Sequence, residues 1–283
     1  MGISAEDVKK LREKTGAGMM ECKNALVETG GDFSMAEKLL KEKGLAAVEK
    51  RSDRATNEGK IFVKIRDNAA ALVELASETD FVARNPEFIA LGEVIADRVL
   101  EKGYTGPNEE LAGMVTDLAT KIRENMSLKR VNLVTAGAGE YLVKYIHGDG
   151  AIGVVVKLGA GNAGALQKEE FKTLAFNLAL HIAAFNPAAL DRDHIDAAFL
   201  KEQEEIFRKQ LEGDEKLKEK PANVIDNILR GKVNKYLSDI CLLEQGYVKD
   251  EKFSVAQVLA DTGKQLGAAI NVVDYVYFKV GDS

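Results

Sequence analysis

Only two cysteines stand in the 283 residues, Cys22 and Cys241. They lie far apart, each in an apolar-patterned segment, which excludes a disulfide framework and any C-x-x-C metal or redox motif. Both read as reduced core thiols. Histidine is as scarce. His147, His181 and His194 are widely spaced, none has a histidine or cysteine three or four residues away, and H-E-x-x-H is absent. Metal-ligand spacing is therefore missing, and no metal or cofactor is expected. No serine or cysteine carries a local signature that would supply it with a base, so no catalytic residue is assigned. A pair of Asp80 and His147 acting as acid and base is compatible with the sequence, but nothing in it favours one.

Long apolar runs are also missing. None reaches the roughly 18 residues of a membrane span. The opening "MGISAEDVKK" lacks an apolar core, so no signal peptide is expected. Glu6 stands where a myristoylation motif needs Ser or Thr. Positive charge is outnumbered too, with 39 Lys and Arg against 45 Asp and Glu. A formal charge of −6 and a pI near 5.4 give no excess of positive charge for a phosphate backbone, so nucleic acid is not expected as a direct partner. What remains is a globular, acidic, mostly helical chain, 46% apolar and 30% charged, expected in the cytoplasm.

Start and stop signals predict three short helices at the N-terminus. Ser4 caps the first, with Asp7 in the answering position and Val8 and Leu11 on the apolar face. "TGAG" at 15–18 breaks the chain before a second helix, Met19–Thr29, with Cys22, Ala25 and Leu26 on one side. "GGD" breaks it again, and a third helix runs from Phe33 to Lys43 with Ala36, Leu39 and Leu40 inward, stopped by Gly44. The charged stretch 48–60 reads as a linker. Two strands follow around a turn at Asp67-Asn68, then helices over about 86–102 and 108–125. "GKIFVKIRDN-AAALVEL" from Gly59 is echoed by "GEYLVKYIHGDGAIGVVVKL" from Gly139, with Val63-Lys64 in register with Val143-Lys144. The echo predicts two related α+β subdomains. Beyond a helix at about 167–184, a polar helix from His194 to Leu211 presents Ile195, Phe199 and Ile206. A return helix from near Pro221 presents Val224, Ile225, Ile228, Leu229, Val233 and Tyr236. This pattern predicts a projecting antiparallel helical hairpin. The chain then returns to a strand at 270–280.

Three features are candidates for function. "GAGNAG", Gly159 to Gly164, fits G-x-G-x-x-G, but the preceding strand belongs to a hairpin and no second parallel strand follows the helix. The context of a dinucleotide site is absent, and a flexible turn explains the glycines. Met19 and Met20 open a helix side by side. One fits the small core, and both inside would crowd it, so the pair is open between core and contact. In "ETDFVARNPEF", Asn85-Pro86 restarts a helix and squeezes Asp80 and Phe81 into one turn after a strand. Asp80 reads as a cap or a functional acid, and Phe81 as core or contact. Of the histidines, His181 reads as a hydrogen-bonded core residue, His194 as a helix start, and His147 as exposed at a hairpin turn.

Four stretches together resemble the elongation factor Ts family: "LREKTGAGMMECKNAL" at 11–26, "KRSDRATNEG" at 50–59, "ETDFVARNPEF" at 78–88 and "YIHGDGAIGVVV" at 145–156. The resemblance covers nearly the whole chain in the family's order. It implies an α+β fold with a ubiquitin-associated-like (UBA-like) three-helix module at 1–46 and a linker at 47–58. Two core subdomains would follow, at 59–138 and at 139–190 with 237–283, with a hairpin inserted at 191–236. It implies guanine-nucleotide exchange on elongation factor Tu, without enzymatic catalysis, and allows a homodimer or a 2:2 complex. Asp80, Phe81, Val82 and Ala83 match the turn that enters the GTPase near its magnesium site. Arg12, Met19 and Met20 match the module's contact with the nucleotide domain, and His147 matches a contact with the third domain. Some members continue past the last strand with a further helix on the GTPase. The residues here end at "FKVGDS", and the resemblance assigns nothing to that contact. The alternative from the residues is a protein-binding adaptor that uses the three-helix module without exchange.

Overall fold

The structure, a computed structural model, describes residues 3–213 and 221–282. These fall into two units. The first holds the described residues up to Thr135, the segment Ile146–Gly153 and the residues from Phe278 on; the second holds Ala136–Tyr145 and the described residues of Val154–Tyr277.

In the first unit, Ser4 and Asp7 close a capping box that starts α1 (Ala5–Thr15), and Gly16, at φ 70°, ends it in the left-handed region. α2 (Met19–Glu28) and α3 (Phe33–Glu49) complete the module. Val8, Leu11, Cys22, Ala25, Leu26, Ala36 and Leu40 form its core, on the faces that the apolar spacing predicts. Gly44 does not stop α3, which runs on to Glu49. A Cβ on Gly44 would lie 2.2 Å from Cγ2 of Thr120. The glycine is a point of close helix approach, and a helix interior tolerates it at modest cost.

β1 (Glu58–Arg66) and β2 (Ala69–Ser77) form the predicted hairpin, with Asp67 at φ 52° in the turn. After the short helical turn α4 (Asp80–Ala83) come α5 (Pro86–Lys102), α6 (Glu109–Ile122) and β3 (Met126–Thr135). The strand β3, which the apolar pattern does not reveal, pairs antiparallel with β2 in a sheet ordered β1-β2-β3. Phe62, Val73 and Leu75 from the sheet meet Phe88, Ile95, Val99 and Leu111 from the helices. Each such side chain contributes about 1.5–3 kcal/mol by leaving water.

The second unit repeats this order. β4 (Glu140–His147) and β5 (Ile152–Ala160) form a hairpin, whose turn residues group with the first unit. α7 (Glu169–Phe185) follows. Next come the long helices α8 (Ala197–Glu212) and α9 (Ala222–Ile240), the short strands β6 (Gly246–Tyr247) and β7 (Asp250–Ser254), α10 (Val255–Leu266) and β8 (Ile270–Lys279). The sheet order is β4-β5-β8. With α1 to α3, the single turn α4, and α8 to β7 set aside, both units read hairpin, helix, helix, strand. α5 and α7 each have 17 residues, and β3 and β8 each have 10. The echo seen at Val63 and Val143 is thus a repeat of topology. "GAGNAG" begins in the last two residues of β5 and runs past its end, where the Gly161 N–H donates to the Ala269 carbonyl, and α7 leads to the helices α8 and α9 rather than to a parallel strand.

α8 and α9 run antiparallel: Phe199 sits against Tyr236, and Arg208 pairs with Asp226 near the other end. Their seam is Leu211, Leu229, Val233 and Leu237, flanked by Ile195, Leu200, Phe207, Ile225 and Ile228. Of the residues expected inward, Phe199 and Ile206 are exposed. Leu200 and Phe207, one position on, take their places, because the face of α8 that meets α9 is rotated by about one residue, roughly 100°.

Candidate protein-binding site

β2 ends at Ser77, whose hydroxyl donates to the Thr79 carbonyl at 3.0 Å. Thr79 caps α4: its hydroxyl oxygen accepts from the Val82 N–H, and the hydroxyl itself donates to the Glu124 carboxylate at 3.0 Å. Asn85 then caps α5 by accepting from the Glu87 N–H at 2.8 Å, with Pro86 in the first turn. The five residues between these caps have room for one helical turn, and that geometry decides where the ring goes. Val82 and Ala83 are buried. At 100° per residue, Phe81 then points about 150° from the centre of the buried arc. Phe81 is 81% exposed. The carboxylate of Asp80 sits beside it, 3.2 Å from the Arg84 guanidinium in an exposed i,i+4 pair, which contributes only about 0.3–0.5 kcal/mol.

The turn stands on a fixed base. Glu78 accepts from the Asn125 N–H at 2.6 Å and from Arg54 at 3.2 Å. These partners, the Asn125 N–H first, hold the Glu78 carboxyl below its usual range. The Asn125 side chain, itself buried, donates to the carbonyls of Ser52 and Arg54 at 3.1 and 2.7 Å. The segment before β1 is therefore stitched to the foot of the turn. Arg54, Glu78, Thr79, Glu124 and Asn125 carry no local signal for this role, since their partners lie tens of residues away in sequence.

The other expected site residues are placed as follows. Met19 and Met20 are 49% and 63% exposed, and Arg12 is exposed on α1. All three belong to the first unit, as does His147, exposed at the turn between β4 and β5. Val82 and Ala83, grouped with Phe81 by the resemblance, have core side chains; they seat the turn instead of presenting it. Among the described residues, no group of three or more His, Cys, Asp or Glu side chains is arranged to hold a metal ion, and no helix is long and apolar enough to cross a membrane.

The family model described as Elongation factor TS matches residues 78–282. The chain is 48% identical to elongation factor Ts of Treponema denticola over 281 residues, covering 99% of both chains. It is 45% identical to that of Treponema pallidum over 292 residues, with 99% of both covered, and 40% identical to that of Borrelia recurrentis over 282 residues, with 99% of this chain and 100% of the relative covered. The chain belongs to the elongation factor Ts family.

The exposed turn, its caps Thr79 and Asn85, and Glu78, Glu124 and Asn125 of its base lie within the residues that the family model matches, while Ser52 and Arg54 precede them. The histidines divide by environment. His194 is exposed and bonded to Asp191 at 2.6 Å, which raises its pKa. His181, on α7, is fully buried and stacks on Tyr247 of the strand β6. The Val248 N–H donates to its Nδ1 at 3.2 Å, so Nε2 carries the proton and donates to Gln245 at 3.0 Å. Burial lowers its pKa. A histidine whose folded pKa is depressed stabilises the fold fully above about pH 6.5, the unfolded value, and loses that contribution as pH falls through the folded pKa. Urea unfolding should therefore show stability falling from pH 7 to pH 5, by at most about 1.4 kcal/mol per pH unit from this group. His194 contributes the opposite slope. His181→Gln should flatten the decline; an unchanged slope in that variant would assign it to other groups.

Proposed function

We propose that the chain is a guanine-nucleotide exchange factor for elongation factor Tu, acting in the cytoplasm during translation elongation without catalysing a covalent step. The reading rests on family membership, and the observation that carries it into mechanism is Phe81, an aromatic ring held out on a capped turn beside a carboxylate. Nucleotide affinity in such GTPases depends on a magnesium ion that bridges phosphate and protein oxygens. An exchange factor need not touch the nucleotide. It binds the nucleotide-free form more tightly than the loaded form, and by linkage nucleotide weakens the factor by the same ratio. In this reading Phe81 finds apolar burial only once the GTPase has shifted, and Asp80 competes for groups that hold the magnesium network. Arg12, Met19 and Met20 dock on the nucleotide domain and His147 on the third domain. Methionine pairs adapt well to such surfaces.

The test is release of labelled GDP from purified elongation factor Tu. Substoichiometric chain should accelerate release, and added GDP should weaken capture of the GTPase. Capture that ignores GDP, with no acceleration, would leave the adaptor reading, in which the exposed Met19 and Met20 serve a three-helix binding module alone.

A further inference from the structure

The turn that carries His147 is built from backbone that resists order. Gly148, Asp149 and Gly150 all have positive φ, at 59°, 56° and 94°, and such a left-handed conformation costs a non-glycine residue about 1–2 kcal/mol. Two glycines also leave the unfolded turn with many alternatives to lose. Something outside the turn must select this conformation, and Lys60 does so. Its side chain, 10% exposed, runs under the turn, and Nζ donates to the Asp149 carboxylate at 2.6 Å and to the Asp149 carbonyl at 2.7 Å. A Cβ on Gly150 would stand 3.2 Å from both Cβ and Cγ of Lys60, so the turn rests directly on the lysine stem. On the far side the Val280 N–H donates to the Ala151 carbonyl at 3.0 Å.

Lys60 lies on β1, and the helical turn α4 with Phe81 packs against the same strand. The Asp149 carboxyl is held below its usual range first by the hydrogen bond from Lys60, then by its charge, and Arg84 at the end of α4 adds to the effect. Both exposed turns are thus referenced to one strand of one unit. A lysine ammonium this enclosed is costly unless paired. Here it is paired to a carboxylate that is itself 85% exposed, so the pair contributes position more than stability.

We propose that Lys60, through Asp149, is a positioning residue that sets the place of His147 relative to Phe81, so that both reach one partner at once. The proposal rests on the exchange reading above. Two contacts presented at a fixed separation act as one bivalent surface, and losing the separation forfeits that gain without removing either contact.

The test is a mutant cycle read by accelerated GDP release, with circular dichroism as the check on folding. Lys60→Met and His147→Ala should each slow release by about fivefold, and the double variant should be no worse than either single, because both act through the same contact. Asp149→Gly keeps the left-handed backbone, removes the carboxylate at an exposed site, and should match Lys60→Met. Lys60→Arg should restore most of the rate. Wild-type rates in Lys60→Met and Asp149→Gly, or losses that multiply in the Lys60→Met/His147→Ala double variant, would overturn the proposal. Should Lys60→Met fail to fold, Asp149→Gly decides alone. If Phe81→Ala remains defective while the Lys60 variants are normal, only this inference fails. If the wild-type chain does not accelerate release, the exchange reading itself fails.

Discussion

Phe81→Ala should lower the acceleration of GDP release from elongation factor Tu by more than tenfold, with circular dichroism and thermal unfolding unchanged. The two halves of that expectation come from one observation. A ring 81% exposed makes little contact with its own molecule, so its removal should change stability by no more than about 0.5 kcal/mol. A phenyl ring that leaves water for a partner's interior gains about 1.5–3 kcal/mol, and truncating an aromatic hot spot commonly costs ~2 kcal/mol or more. At about 1.4 kcal/mol per factor of ten, that exceeds one order of magnitude. Phe81→Leu keeps part of the apolar volume and should retain a measurable share of the rate. Release at the wild-type rate in Phe81→Ala would remove the turn from the mechanism, whatever the family.

Arg130→Met should destabilise the fold by about 3 kcal/mol, the low end of the range for breaking a buried ion pair because the arginine is itself partly exposed. Glu74 lies opposite Arg130 in the register of β2 and β3, with its side chain 3% exposed. One carboxylate oxygen accepts from Arg130 Nε at 2.6 Å, the other from the Gly281 N–H at 3.1 Å. The guanidinium also donates to the Lys279 carbonyl at 2.7 Å and lies 4.3 Å over the Phe278 ring. Without the arginine the carboxylate keeps one N–H for a full charge, and the last residues lose both a donor and a stacking plane. For a chain of this size the melting temperature should fall by about 6–12 °C. Replacing both residues, Glu74→Gln with Arg130→Met, should recover most of the loss, since no orphaned charge remains. Equal melting temperatures for wild type and Arg130→Met would show that Glu74 is solvated and the pair unimportant.

Neither member of that pair stands out in the sequence. Glu74 sits in an apolar run and Arg130 in "LKRVNL", where two cations obscure a strand. The elements with a regular apolar period were legible: α1, α2, the β1–β2 hairpin and α5 fall close to where spacing and caps predict them. Sequence alone ends α3 at Gly44, because a glycine carries the same letter whether it ends a helix or lets two helices touch. The face of α8 is ambiguous by one residue in the sequence, because Phe199, Leu200, Ile206 and Phe207 offer two adjacent apolar stripes, and only the packing of α9 selects between them. For the site, Asn85-Pro86 marks a single squeezed turn, yet the cap before it is Thr79 where Asp80 is the residue read as a possible cap, and the residues leave Phe81 open between core and surface.

Local chemistry in the sequence settled most of the secondary structure. Caps, glycine breaks and apolar periods act within a turn or two, so they specify helices, hairpins and the short α4 from neighbours alone, and the scarcity of Cys and His together with the net negative charge limited the available chemistry. Tertiary structure decided which way each ambiguous side chain faces. Val82 and Ala83 are drawn into the core and turn Phe81 outward. Asn125 ties Glu78 to the segment around Arg54, and Lys60 holds a turn 89 residues away in the chain. Those choices depend on desolvation and charge pairing between distant segments, and such energies exist only once the chain has brought the segments together.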